Sequence, residues 1–160
     1  MFRFDAIACQ RIAHALWRRK IPLVPRLIDA FVLLFWKCSI PHTVPIGSGT
    51  RIAYYQPGVV IHRRCVIGRN VELHGGVVIG GRKEGVYGVP RIGNEVKIYS
   101  GAKVLGDIQI GDGCVIAAGA VVIDSMPPGA VAVPPRAQIL LPAREMSPVE
   151  EMLPLLEEGC

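Results

Sequence analysis

Residues 91–122 read RIGNEVKIYSGAKVLGDIQIGDGCVIAAGAVV, and an aliphatic side chain returns at every sixth position of this stretch. The aliphatic positions are Ile92, Ile98, Val104, Ile110, Ile116 and Val122. A period of six fits neither the turn of an α-helix nor the alternation of an ordinary strand. It is typical of a parallel β-helix, in which three short strands close one coil and the aliphatic side chains stack inside a triangular prism. We therefore predict an all-β solenoid.

The same spacing continues upstream, with two interruptions. One run comprises Ile61, Ile67, Leu73 and Ile79, and a shorter one comprises Ile46 and Ile52. Extra residues separate Ile52 from Ile61 and Ile79 from Ile92, and we name these insertions the bulge (residues 54–58) and the arm (residues 80–90). Interruptions of a solenoid map to protrusions on one face, where functional sites are often built.

The chain is predicted to contain an N-terminal helical segment (residues 1–40), a β-helix (41–136) and a C-terminal extension with a short helix (137–160). The first helix is expected to place Ile7, Ile12 and Leu16 on one apolar face. The second, residues 26–37, is very apolar but far shorter than the roughly 20 residues needed to cross a bilayer. It is interpreted as packing against the β-helix or a neighbouring subunit. Peripheral membrane contact, favoured by Arg18-Arg19-Lys20, is the alternative.

Composition narrows the class of protein. A net charge of +5 is modest, and basic residues without interleaved aromatic side chains argue against nucleic acid as a partner. The five cysteines have no metal-ligand spacing, and Cys65 and Cys114 fall at small inward positions of their hexads. The N-terminus lacks the residue order of a secretory signal. We expect a cytoplasmic protein without a metal.

Several motifs occur in a specific order along the β-helix. They are Ile46-Gly47-Ser48-Gly49, Gly58-Val59-Val60-Ile61-His62, Val77-Val78-Ile79-Gly80-Gly81-Arg82, Gly101-Ala102-Lys103-Val104-Leu105-Gly106-Asp107 and Val133-Pro134-Pro135-Arg136. Through these motifs the chain resembles the hexapeptide-repeat acyltransferases, and most of all their short serine acetyltransferase-like branch. The resemblance covers about residues 40–140.

This resemblance implies a left-handed β-helix, a homotrimer, acetyl-CoA as donor and a hydroxyl or amine as acceptor. In the family, the active site lies between neighbouring prisms and a histidine removes the acceptor's proton. We therefore predict an acetyl-CoA-dependent O-acetyltransferase acting on a small hydroxyl acceptor, L-serine or serine-like. Transfer is expected to be direct, without an acyl-enzyme.

The chain departs from the serine-specific members of the family at three places. Where those enzymes have an Asp-His pair, after the first Ile-Gly-x-Gly hexad, this chain reads Ala53-Tyr54-Tyr55. The aspartate of the entry motif is replaced by Ser39, and the arm histidine is replaced by Val89. A sugar O- or N-acetyltransferase of polysaccharide biosynthesis and a non-catalytic trimeric scaffold are therefore kept as alternatives. A zinc carbonic anhydrase is disfavoured, because the spacing of His42, His62 and His74 does not match that family.

The predicted site residues follow from coil positions and from the resemblance. His62 is the preferred general base, because it should stack beside the base of the arm, and His74, one coil from the bulge, is the second candidate. Tyr54 and Tyr55 are expected to orient the acceptor or the histidine. The resemblance also implies a site for the acetyl-CoA donor. Backbone at Gly80 and Gly81 is expected beside the thioester, and the small residues Gly101, Ala102 and Ala120 beside the pantetheine chain. Lys103 and Arg136 are expected to bind the CoA phosphates.

Overall fold

The computed structural model describes residues 5–21, 23–82 and 88–137. Two α-helices, α1 (Ala6–Arg18) and α2 (Val24–Trp36), precede a left-handed parallel β-helix. The hexad period predicted the parallel β-helix, and the family resemblance implied its left-handedness. A 3₁₀ turn (Ala53–Tyr55) follows the first strand. The strands are β1 (Arg51–Ile52), β2 (Val60–Ile61), β3 (Val66–Ile67), β4 (Glu72–Leu73), β5 (Val78–Gly80), β6 (Arg91–Ile92), β7 (Lys97–Ile98), β8 (Lys103–Leu105), β9 (Gln109–Ile110), β10 (Val115–Ile116), β11 (Val121–Val122) and β12 (Val131–Ala132).

The strands form three parallel sheets, one for each face of the prism. The first face has the order β1-β4-β7-β10-β12, the second β2-β5-β8-β11 and the third β3-β6-β9. In each pair of neighbouring strands the aliphatic positions lie in register, as in Leu73 with Ile98 and Ile79 with Val104. Both insertions are therefore accommodated at corners, and neither shifts the register of the coils.

The aliphatic side chains predicted to point inward form the core. Leu73, Ile79, Ile98 and Ile116 are fully buried. The second inward position of each hexad is buried as well, including Cys65 and Cys114, which are free thiols. Burial of a large aliphatic side chain contributes roughly 1.5–3 kcal/mol. The stacked rungs therefore supply the main stabilisation of the prism.

One corner, between the third and first faces, is closed by glycines because there is no room for a side chain. We call it the glycine corner (Gly47, Gly68, Gly93 and Gly111). A Cβ added to Gly47 would lie 2.5 Å from the Gly68 carbonyl oxygen, and one added to Gly68 would overlap the backbone of Gly93. These glycines are required by the close approach of successive coils.

Helix α1 is anchored to the first coil by polar contacts that the sequence pattern did not indicate. The Gln10 side-chain amide is buried and donates to the Val44 carbonyl oxygen (2.8 Å), and Arg11 donates to that of Gly47 (2.7 Å). This turns Ile12 outward, where it is 50% exposed. Ile12, predicted to share the apolar face of α1 with Ile7, is therefore exposed, whereas Ile7 is buried.

Helix α2 begins two residues before its predicted start, and Pro25 occupies its first turn, where proline is favourable. Asp29 ties the helix to the prism, accepting the backbone N–H of His42 (3.0 Å) and contacting its Nδ1 (2.6 Å). Among the described residues, no helix is long and apolar enough to cross a membrane. The three-part division of the chain stays a prediction, and the expected C-terminal helix lies outside the described residues.

Removal of one core rung should lower stability measurably. We expect Ile98→Ala to reduce the free energy of unfolding by about 2–5 kcal/mol, because the rigid coils above and below cannot close the cavity. The neighbouring exposed residue provides the control, since Lys97→Ala should change the free energy of unfolding by less than about 0.5 kcal/mol. Denaturant titration followed by circular dichroism measures both. Equal effects of the two substitutions would contradict the inward assignment of Ile98.

Candidate active site

Two corners of the prism bring chemically active side chains together. The aromatic corner, between the first and second faces, contains Tyr54, His74 and Tyr99 from three successive coils. The His74 ring centroid lies 4.7 Å from that of Tyr99 and 6.0 Å from that of Tyr54. The prediction that His74 adjoins the bulge is confirmed, although its ring also stacks on Tyr99.

A carboxylate lies beside the His74 imidazole. The His74 Nε2 atom is 3.5 Å from Glu72 Oε1, and Glu72 Oε2 accepts a hydrogen bond from Arg51 at 3.1 Å. The His74 side chain is only 10% exposed. A carboxylate next to one ring nitrogen favours the proton on that nitrogen. In the neutral ring, this proximity favours the tautomer with the lone pair on Nδ1.

The Gln56 side chain ties the bulge to the two following coils. The Oε1 atom of Gln56 accepts the backbone N–H of Gly75 (2.7 Å) and the Ser100 hydroxyl (3.3 Å). Tyr54 has φ +53°, a left-handed conformation that is unusual for a tyrosine, and is 82% exposed. Strained, exposed residues of this kind cluster at functional sites. The side chain of Tyr55 lies outside the described part of the chain.

The second site is the arm corner, between the second and third faces, where the arm leaves and rejoins the prism. The backbone N–H of His62 donates to the carbonyl oxygen of Ile79 (2.8 Å). A Cβ added to Gly80 would lie 3.7 Å from the His62 Cβ. The predicted stacking of His62 beside the base of the arm is thus confirmed. His62 Nδ1 accepts the backbone N–H of Arg64 at 3.3 Å. In the neutral ring the proton is therefore on Nε2.

The surroundings of the arm corner favour the uncharged forms of His62 and Cys65. Burial, together with the positive charges of Arg64 and Arg63, lowers the pKa of His62 below 6.5. Burial raises the pKa of the Cys65 thiol to about 11. His62 is therefore a neutral hydrogen-bond donor at pH 7, and Cys65 is unsuited to act as a nucleophile.

An open cavity of about 440 Å³ lies at the arm corner. Its lining consists of Arg64, Val66, Gly88, Val89, Arg91 and Asp107. The arm ends pack closely here, because a Cβ added to Gly88 would overlap the Asp107 side chain. The cavity combines cationic and anionic groups, a suitable lining for a polar ligand.

The predicted donor-site residues occupy two neighbouring coils. The backbone N–H of Lys103 donates to Ala120 (2.8 Å), and Gly101 is exposed with φ +72°. The Ala102 and Ala120 side chains are buried, so only their backbone can contact a ligand. Exposed side chains at Lys103 and Arg136 and exposed backbone at Gly81 are compatible with the predicted roles, whereas Gly80 is buried beside His62.

The other two histidines hold the N-terminal helices in place. His14 Nδ1 contacts the His42 carbonyl oxygen at 2.7 Å, and His42 binds Asp29. Within residues 5–21, 23–82 and 88–137, no cluster of three His, Cys, Asp or Glu side chains is arranged to hold a metal ion.

Sequence reasoning missed Glu72 and Tyr99. Glu72 lies two positions before His74 on the same strand edge, and Tyr99 follows Ile98, which pairs with Leu73. Adding the arm's extra residues to the coil period would have aligned Tyr99 with His74. Nothing in the pattern distinguished Glu72 from other exposed polar residues.

Comparison with known proteins gives the family. A model of the bacterial transferase hexapeptide family (six repeats) matches residues 90–124. The serine acetyltransferase of Helicobacter pylori is 36% identical over 136 residues, which cover 84% of this chain and 79% of that protein. The chain belongs to the serine acetyltransferase family.

Other members of the serine acetyltransferase family are longer. The Bacillus subtilis protein is 42% identical over 76% of this chain and 56% of its own length. The Synechococcus elongatus protein is 36% identical over 78% of this chain and 51% of its own length. The chain therefore spans about half the length of these relatives. A soybean serine acetyltransferase complexed with serine superposes with TM-score 0.75 at 34% identity, covering 84% of this chain and 56% of that one. A serine acetyltransferase complex with CoA gives 0.71 at 28% identity, covering 79% and 51%.

The titration of His62 can be measured directly. We expect its imidazole to titrate below pH 6.5, and Arg63→Gln to raise its pKa, because one repelling charge is removed. Two-dimensional NMR of the imidazole nitrogens follows both titrations. A midpoint at or above 6.5 in the unsubstituted protein would contradict the described surroundings of His62.

Proposed function

We propose that the chain is an acetyl-CoA-dependent O-acetyltransferase acting on a small hydroxyl acceptor, L-serine or a serine-like molecule. The observation that carries this proposal is the match to the Helicobacter pylori serine acetyltransferase over most of both chains. Related structures are complexed with serine and with CoA. The two histidine-containing corners supply the groups that acyl transfer requires, a base and donors for the oxyanion.

The surroundings of the two histidines favour a different general base from His62, the residue preferred from sequence. A general base needs an open lone pair, but Nδ1 of His62 already accepts a hydrogen bond and its Nε2 carries a proton. The Nε2 atom of His74 lies 3.5 Å from Glu72 Oε1, which favours the tautomer with the lone pair on Nδ1. We therefore propose His74 as the base and His62 as a donor to the developing oxyanion.

The proposed reaction has one transfer step. The acceptor hydroxyl oxygen forms a bond to the acetyl carbon, His74 Nδ1 takes the hydroxyl proton, and the bond from carbon to the CoA sulfur breaks. His74 then returns the proton to the leaving sulfur. Glu72 stabilises the imidazolium formed in between, as the carboxylate does in a catalytic triad. Tyr54 and Tyr55 are proposed to orient the acceptor at this corner.

The donor is proposed to lie along the coils that contain Gly101 and Ala120. Pantetheine would contact the backbone there, and exposed Lys103 and Arg136 would bind CoA phosphates through charge-assisted hydrogen bonds. Backbone at Gly80 and Gly81 would face the thioester, next to His62.

A homotrimer is proposed as the active assembly, since the resemblance implies a site between neighbouring prisms. The arm corner of one prism and the aromatic corner of its neighbour would then form one site, with His62 and His74 supplied by different subunits. We also propose a cytoplasmic location, and peripheral contact of the N-terminal helices with a membrane.

A sugar acceptor is the second candidate, and one observation favours it. Tyr54 and Tyr99 lie on either side of His74, and Tyr54, in the stretch that replaces the Asp-His pair of the serine-specific relatives, is largely exposed. Flat aromatic faces suit a pyranose ring better than a small amino acid.

The activity is tested by CoA release from acetyl-CoA with and without L-serine. We expect serine-dependent release, because the family relationship extends over most of the chain. If release requires a sugar instead, the serine assignment is wrong and the second candidate replaces it. Failure to bind acetyl-CoA, measured by calorimetry, would favour the non-catalytic scaffold and overturn the enzyme proposal.

The base assignment is tested by pH profiles with the acceptor that supports turnover. His74→Ala should lower kcat/KM by about 10²- to 10⁴-fold and abolish the fall in rate at low pH, because that fall reports protonation of the base. His62→Ala should lower kcat by about 10²- to 10³-fold yet keep the fall, and His62→Gln, which can still donate, should lose less. A low-pH limb that disappears in His62→Ala but persists in His74→Ala would reverse the two roles.

A further inference from the structure

Among the described residues, helix α2 presents an exposed apolar face on the side away from the β-helix. Pro25 and Val32 are buried and Asp29 binds His42, so the orientation of the helix is fixed. At about 100° per residue, the opposite side carries a continuous apolar stripe. We call this stripe the α2 face; it consists of Leu23, Val24, Leu27, Phe31, Leu34 and Phe35, which are 40% to 68% exposed.

Basic residues outnumber acidic ones in the segment that contains this face. Residues 1–50 contain seven Lys and Arg against two aspartates, a net charge of +5. Both aspartates are engaged in the fold, since Asp5 caps α1 by accepting the Ala8 N–H and Asp29 binds His42.

The cations lie where they can flank the α2 face. Arg26 and Lys37 are exposed on one border of the stripe, near its two ends. Arg18, Arg19 and Lys20 are exposed at the end of α1, beside an open cavity of about 450 Å³ lined by Trp17, Arg18, Lys20 and Ile21. Long basic side chains can keep their charges in the headgroup layer while their stems lie against apolar surface.

We propose that the α2 face docks on the surface of an anionic lipid bilayer, with the basic residues contacting lipid phosphates. A helix of 13 residues is about 20 Å long, too short to span the bilayer but long enough to lie in its interface. An apolar stripe bordered by Lys and Arg is the composition of interfacial helices. This inference specifies the membrane contact named above and does not rest on acetyltransferase activity.

Charge favours lipid over a second copy of the chain on this face. Two copies meeting through α2 would bring two +5 segments together, and like charges at an interface oppose association. An anionic bilayer attracts the same cations, at about 1 kcal/mol for each one near the surface. The same charges therefore hinder one occupant and favour the other.

The two tryptophans make the test direct. Trp17 and Trp36 are the only tryptophans of the chain and both lie in the N-terminal helices. We expect their emission to shift to the blue, and the protein to co-sediment, with vesicles of phosphatidylcholine and phosphatidylglycerol but not with phosphatidylcholine alone. Binding should weaken as salt rises from about 0.1 M to 1 M.

Matched variants separate the apolar and basic contributions. Leu27→Ser with Leu34→Ser should weaken vesicle partition at least about tenfold, and Arg18→Ser with Arg19→Ser about fivefold for each charge removed. Val131→Ser, at an exposed position of the last coil, and Lys97→Ser are the controls and should leave partition unchanged. Thermal unfolding establishes that every variant is folded, and acetyl-CoA binding, where present, should persist in all of them.

Three outcomes would overturn the proposal. Equal partition onto neutral and anionic vesicles would remove the role of charge. Partition unchanged by Leu27→Ser with Leu34→Ser would remove the role of the α2 face. Absence of vesicle binding, with an assembly in light scattering that the same double variant dissociates, would assign the face to a second copy.

Discussion

Each coil must stack on the next at the spacing of hydrogen-bonded strands, about 4.8 Å, and the rest of the structure depends on this constraint. It fixes an aliphatic side chain at each inward position, and it excludes any side chain from the glycine corner. It also places residues from successive coils directly above one another at the other corners. His74 and Tyr99 meet for this reason, as do His62 and Gly80.

The β-helix could be predicted from sequence because every coil repeats the same inward pattern, and even the register follows once the two insertions are subtracted. The N-terminal helices were harder. The outward position of Ile12 depends on a hydrogen bond from Gln10 to Val44, a residue on another element. Helical periodicity proposes an apolar face, but the tertiary partner selects the face that is buried.

Part of the candidate site could also be predicted by counting residues per coil. The positions of His62 beside the arm and His74 beside the bulge were predicted correctly. The different roles proposed for the two histidines could not be predicted from sequence, because they depend on which ring nitrogen has a partner. The backbone N–H of Arg64 contacts Nδ1 of His62, and Glu72 lies beside Nε2 of His74. Each of these contacts joins a histidine to a residue two positions away, and no sequence motif marks such a pair. The aromatic corner also required knowledge of the coil that contains Tyr99.

The placement of both insertions at corners separates two kinds of evolutionary change. A coil core tolerates little variation, since each inward residue contacts the rungs above and below it. Lengthening a corner segment costs only slowly growing loop entropy and leaves the strand register intact, as β1 with β4 and β3 with β6 illustrate. Selection for a new acceptor can thus act on the bulge and the arm, while the prism that carries them is inherited unchanged.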